Sequence, residues 1–153
     1  MQEGTATKKV NPYDKYKLDP EIKKQGIWYE DEDVRILATF AGTENSRYDK
    51  MLKLRLKPYE TRIRNDNFSD KAFHEVLAEV YAETVILGWE SKNDAGEFVS
   101  GIYNEEGEIL PFSKENVAMG FKLGDRLFTD VIKLATNFNL FRRGQQEEDA
   151  KNS

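Results

Sequence analysis

The chain has no cysteine and one histidine, His74. The first absence excludes disulfides, thiol nucleophiles and cysteine-ligated zinc or iron–sulfur centres. The second leaves a single imidazole for any acid–base role. No apolar run approaches the roughly 18–20 residues of a membrane span. Residues 1–25 carry Lys8, Lys9, Lys15, Lys17, Lys23 and Lys24 but no apolar stretch, so they do not read as a signal peptide. The expectation is a protein of the cytoplasm with no membrane partner.

Recurrent catalytic motifs are missing too. There is no Gly-x-x-x-x-Gly-Lys-Ser/Thr loop, no Gly-x-Gly-x-x-Gly and no Gly-x-Ser-x-Gly elbow. Three carboxylate clusters occur, Glu30-Asp31-Glu32-Asp33, a Glu75/Glu79/Glu83 stripe and Glu105-Glu106-Gly107-Glu108. None has calcium-loop spacing, and the Glu-x-x-His motifs of a di-metal bundle are absent. They read as solvated or salt-bridged faces, and no cofactor or metal is expected. His74 follows Asp70 by four residues, which on a helix makes a solvated Asp70–His74 pair. A general base would need a cleft and a proton within reach, and nothing in the pattern marks one. The chain is not expected to be an enzyme.

What is present is enough for one folded domain. Of 153 residues, 39% are aliphatic or aromatic and 33% charged, which suits a real core under a well-solvated surface. Charge is uneven. Residues 44–64 hold seven Lys/Arg against three Asp/Glu, whereas residues 65–110 hold two against eleven. The overall balance of −5 opposes binding to duplex nucleic acid, which needs a dominant basic surface. The Arg47–Arg64 segment, with Tyr48 and Tyr59, has the chemistry of a nucleic-acid contact. The favoured reading is instead a helix whose Lys50, Lys53 and Lys57 lie beside the Glu75/Glu79/Glu83 stripe of its neighbour.

Patterning along the chain predicts an α+β fold, predominantly helical, in a single globular domain over residues 26–143. A flexible arm precedes it (1–25) and a polar tail follows (144–153). Gly26–Glu30 and Val34–Phe40 flank an acidic turn and predict an N-terminal β-hairpin. A helix is expected from Asn45 to Leu56 with Ser46 as its cap, broken at Pro58, with a short turn over Tyr59–Arg64. The strongest helical signal runs from Ser69 to Leu87, with Gly88 as its terminator. A short second hairpin is expected from Phe98–Tyr103 and Glu108–Phe112. Ser113 caps a helix lasting to Gly120 or Gly124, and Asp125 caps a last helix through Phe141.

Three residues stand out as candidates for partner binding. Trp28 and Trp89 are ordinarily packing residues, but tryptophan is enriched at interface hot spots. Ile86 falls, on a helical wheel, with the acidic stripe rather than the apolar face, so it is expected at a partner contact unless the helix end turns back into the core.

One order of residues is more specific. A helix leads into Gly88-Trp89-Glu90, then Leu110-Pro111-Phe112-Ser113-Lys114-Glu115-Asn116, then a helix ending Asn139-Leu140-Phe141-Arg142, then Asp149-Ala150-Lys151-Asn152. This order resembles the small tail assembly chaperones of long-tailed bacteriophages and prophages, over roughly Gly26 to Asn152. The resemblance implies a cytosolic, acidic, mainly helical protein of the host cell. Such proteins associate with the tape measure protein, assist polymerisation of tail tube subunits, and leave before the virion is complete. Self-association is compatible with it. Two other readings stand beside it, a head–tail or tail connector protein that stays in the particle, and a small nucleic-acid-binding accessory factor.

Overall fold

The computed structural model describes residues 11–144. The first part of the expected arm and nearly all of the expected tail lie outside them. The fold is α+β, as the patterning predicts. Strands β1 (Ile27–Glu30), β2 (Val34–Ala38), β3 (Ile86–Lys92) and β4 (Phe98–Ser100) form one antiparallel sheet in the order β1-β2-β3-β4. A two-stranded ribbon pairs β5 (Ile102–Tyr103) with β6 (Ile109–Leu110). The helices are α1 (Pro20–Gln25), α2 (Ser46–Leu56), α3 (Glu60–Arg64), α4 (Asp70–Thr84), α5 (Lys114–Leu123), α6 (Asp125–Ala135) and α7 (Phe138–Phe141).

The N-terminal hairpin forms as expected, around the turn after Glu30, where Asp31 Oδ1 accepts from the amides of Asp33 and Val34. Order begins earlier than the sequence suggests. Asp19 caps α1 by accepting from the amides of Glu21 and Ile22, and Pro20 sits at the first helical position. Ile22 is buried with Phe40 and Phe141, and the Asp19 amide donates to Phe141 O at 2.7 Å. One buried isoleucine among lysines has no periodicity to reveal it, so the 1–25 arm is corrected over Pro20–Gln25. Gly26 ends α1 at φ +78°, a conformation that favours glycine.

Helix α4 stops at Thr84, not at Leu87, and Gly88 lies inside a strand. The run Thr84-Val85-Ile86 is β-branched, and antiparallel pairing with β2 satisfies its backbone while burying Val85 and Ile86. Helix α2 is capped by Asn45 rather than Ser46. The Asn45 side chain is buried, accepts from the Tyr48 amide, and donates to Phe40 O (2.9 Å) and Thr84 O (3.4 Å). It ties the start of α2 to the end of α4. The second hairpin is smaller than expected. Phe98–Ser100 pairs with β3, Gly101 turns the chain at φ +143°, and only two residues on each side form the ribbon.

Ser113 caps α5 as expected, and Gly124 closes it. The last helix breaks at Thr136-Asn137, where Asn137 caps α7. The break lets Phe138 and Phe141 swing onto Phe40, with ring centroids 5.7 and 5.5 Å away.

The main core is a chain of rings. Trp89 packs on Phe121 (5.0 Å), Phe121 stacks on Phe128 (4.5 Å), Phe128 meets Tyr81 edge-on (5.2 Å), and Tyr81 meets Tyr48 likewise (5.7 Å). Burial pushes the Tyr81 hydroxyl far above the ordinary tyrosine range and raises Tyr48 as well, with Asp49 adding to the second. Replacing Phe121 by Ala should cost about 3–5 kcal/mol in urea unfolding, because the cavity opens in the middle of this chain. Alkali should also destabilise the protein. Above pH 10 or so the unfolded tyrosines ionise while Tyr81 and Tyr48 keep their protons in the fold, so the folded state binds more protons and stability falls as pH rises. Urea midpoints measured at successive pH values should show that decline, and Tyr81→Phe should make it shallower.

Candidate functional site

The three residues singled out from the sequence end in different places. Ile86 and Trp89 are buried, at 6% and 4% exposure, whereas Trp28 is 45% exposed. The expectation of surface roles for Ile86 and Trp89 is therefore corrected. Ile86 lies on a strand, where side chains alternate between faces, and the helical wheel that put it beside the acidic stripe does not apply. Trp89 packs against Phe121 and over Gly120, where a Cβ would stand 3.0 Å from its ring. Its indole N–H has no acceptor among the described residues.

The acidic stripe does face a basic neighbour, but through different cations. Arg55 on α2 forks to Glu79 (2.9 Å) and Glu83 (3.0 Å) on α4. From the other side, Lys122 reaches Glu79 (2.9 Å) and Lys114 reaches Glu83 (3.3 Å), both from α5. Lys53 pairs with Asp49 of its own helix. The expected Lys50/Lys53/Lys57 contact is corrected to Arg55, because the side of α2 that meets α4 is the one carrying Tyr48, Leu52 and Arg55. The network lines a hollow of about 580 Å³ with Ala118, Met119 and Leu123. Glu79 and Glu83 in it are engaged by cations from both sides.

His74 does not pair with Asp70. Its Nδ1 lies 3.1 Å from Asp125 Oδ1, and the ring tilts over Phe128 at 5.0 Å. Asp125 is the first residue of α6 rather than its cap. The two line a second hollow, about 540 Å³, with Asp70, Lys71, Glu75 and Phe121. No hydroxyl nucleophile lines it. Among the described residues no group of three or more His, Asp or Glu is disposed to hold a metal ion, and no helix is long and apolar enough to cross a membrane.

The remaining feature is the sheet itself. Its inner face, with Ile36, Ala38, Ile86, Trp89 and Ser91, packs into the protein. On the outer face the register sets Trp28 beside Leu37 and Leu37 beside Gly88. A bulge lies here, since Leu37 pairs with Gly88 but Ala38 pairs with Ile86, which leaves Leu87 as an extra residue. Leu87 is 43% exposed. The next row crosses the sheet as Glu30, Arg35, Glu90 and Ser100. Arg35 donates to Glu90 through Nε (3.0 Å) and sits over the rings of Phe98 (4.3 Å) and Trp28 (5.7 Å). At the hairpin end Tyr29 donates to Asp31 (3.2 Å) and Asp130 (3.5 Å). Burial, with those carboxylates, pushes its hydroxyl up to about 12.

These features define a small α+β protein with one open sheet face and no assembled catalytic group among its described residues. A family model described as the YdaY prophage protein matches residues 43–152. That match takes in most of the chain, and the protein belongs to the YdaY prophage protein family. Comparison with curated proteins and with solved structures gave no match. The matched stretch contains Gly88-Trp89-Glu90 and Leu110–Asn116 but not the β1–β2 hairpin with Trp28.

Two neighbouring residues give a direct check on the placement. Ile86→Asp should unfold the protein, because it buries an unpaired charge. Leu87→Asp should stay folded within about 1 kcal/mol, since its side chain already meets water. Circular dichroism and urea unfolding of the two variants decide the matter, and unfolding of both would show that the bulge does not expose Leu87.

Proposed function

We propose that this phage-related protein is a tail assembly chaperone that binds the tape measure protein without being an enzyme. The observation that carries the reading is the residue order from Gly88-Trp89-Glu90 through Leu110–Asn116 to the terminal helix, which falls within the stretch matched by a prophage family. The structure gives that order a physical meaning. Trp89 anchors β3 to α5 through Phe121. The Ser113 hydroxyl accepts from the Asn116 amide (3.1 Å), and Asn116 Nδ2 donates to Pro111 O (2.8 Å), so Pro111–Asn116 is a closed helix-start loop. These residues specify a fold, which is what a resemblance between proteins with different clients would preserve.

The mechanism follows from surface rather than from chemistry. A tape measure protein is long and helical, and its apolar side chains need cover until tail tube subunits enclose it. A small protein with an open apolar face and a net charge of −5 can supply that cover and keep the complex soluble. Release would follow when tube subunits compete for the same apolar side chains. The site of action is the host cytoplasm, with the chain leaving before the virion is complete.

A tagged pull-down from cells producing the phage, read by mass spectrometry beside an assay of purified particles, tests this. Capture of the tape measure protein with the chain absent from particles is the expected result. Stoichiometric presence in particles would make it a structural component instead, and capture of neither tape measure nor tail tube protein would end the chaperone reading.

A further inference from the structure

On the outer face of the sheet, Gly88 lies inside a strand, next to the bulged Leu87. Its φ is not positive, and a Cβ there would meet Leu37 Cβ at 3.6 Å and Trp28 Cη2 at 3.8 Å, which are ordinary contacts. Glycine in a strand accompanies bulges and leaves the backbone open to close approach, and the missing side chain at Gly88 bares the strand between Leu37 and Trp28. The result is a notch floored by the Gly88 backbone and walled by Trp28, Leu37 and the bulged Leu87. The walls are continuous, since a Cβ at Gly26 would touch both Leu37 and Leu87. Arg35, held by Glu90, lies 5.7 Å from the Trp28 ring centroid, within cation–π range.

Leu87 also borders a hollow of about 380 Å³ lined by Lys23, Lys24, Thr39 and Arg47. Lys23 Nζ donates to Glu44 O and Arg47 to Glu83 O, both backbone carbonyls, and none of the three cations pairs with a carboxylate among the described residues. A protein of net charge −5 thus sets beside its exposed apolar notch a basic flank that no carboxylate of the described residues neutralises.

We propose that this notch and flank dock a client segment carrying apolar side chains with acidic residues beside them. The apolar side chains fill the notch over Gly88, and the acidic residues meet Lys23, Lys24 and Arg47. The identity of the client as a tail protein rests on the chaperone reading, whereas the chemistry of the segment rests on the face alone. What distinguishes this flank from the exposed cations of α2 and α3 is that it borders the apolar notch, so both parts of such a segment are met at one place. An isologous pairing of two copies through this face would bring like-charged flanks toward one interface.

Overlapping synthetic peptides covering the tape measure and tail tube proteins of the same prophage, titrated against the full chain, test the proposal. Binding peptides should carry acidic residues within a turn of apolar ones and should weaken with added salt. Leu87→Asp, and separately Lys23→Glu with Lys24→Glu, should weaken them roughly tenfold or more, as loss of an interface anchor does. Leu123→Asp, in the α4–α5 hollow, should leave them unchanged. A peptide bearing lysine in place of its acidic residues should recover binding to the Lys23→Glu/Lys24→Glu variant.

The outcomes separate the two readings. Tape measure peptides that bind equally to wild type and Leu87→Asp would overturn the docking face and leave the chaperone reading standing. Binding at the face by tail tube peptides alone would keep the face and remove the tape measure protein as its client. Binding by no peptide overturns the face. Sedimentation showing a wild-type dimer that Leu87→Asp dissociates would overturn it too, with a second copy as the occupant.

Discussion

The fold depends on one close approach, that of helix α5 to strand β3. Trp89 lies under α5 at a tight fit over Gly120, where a Cβ would stand 3.0 Å from both the Trp89 ring and Ile102 and would press them apart. That approach brings Phe121 onto Trp89 and lines up the rings of Phe128, Tyr81 and Tyr48 behind it. Five rings therefore connect β3, α5, α6, α4 and α2 in one contact path. Aromatic pairs of this kind contribute about 0.5–1.5 kcal/mol each beyond the area they bury. The larger effect is geometric, because each ring fixes the angle at which the next element packs.

Charge plays a secondary part around this core. The excess of cations in residues 44–64 and of carboxylates in residues 65–110 meets in the fold where Arg55 reaches Glu79 and Glu83. Lys114 and Lys122 neutralise the same two glutamates from the opposite side. These groups are partly exposed, so each pair adds little by itself. Their joint effect is to hold α2, α4 and α5 in register over the aromatic path. Of the basic segment, Arg55 is thereby committed to the interface between α2 and α4, while Lys50, Lys57, Arg62 and Arg64 stay on the surface. Lys23, Lys24 and Arg47, further along the surface, pair with no carboxylate among the described residues.

Much of this was legible in the sequence where the physics is local. The hairpin turn, the Ser113 cap and the apolar stripe of α6 each need only neighbouring residues to be recognised. The candidate site was less legible, for an identifiable reason. Helical periodicity carries smoothly from α4 through Leu87, and only the long-range partner β2 reveals that the chain has changed to a strand at Ile86. The switch exchanges the faces, so Ile86 goes inward and Leu87 outward, the reverse of the helical reading. The β-branched Thr84-Val85-Ile86 run was the available signal. Ile22 gave less warning still, because its partners Phe40 and Phe141 are distant in sequence and no periodicity surrounds it.

The bulge links the core to the surface. A regular strand would alternate Ile86, Leu87, Gly88 and Trp89 between faces, and could not send both Ile86 and Trp89 inward, since they are three residues apart. One extra residue resolves the conflict, and Leu87 is that residue. Burying Ile86 with Trp89 therefore forces an unpaired leucine outward beside Gly88. The same geometry that secures Trp89 under α5 builds the open notch opposite it. A platform made in this way is rigid, because moving Leu87 would shift the register that holds the core, and a rigid apolar anchor loses little freedom when a partner arrives. Of the notch, Gly88 and Leu87 lie within the matched family stretch, whereas Trp28 and Leu37 come from the hairpin that precedes it.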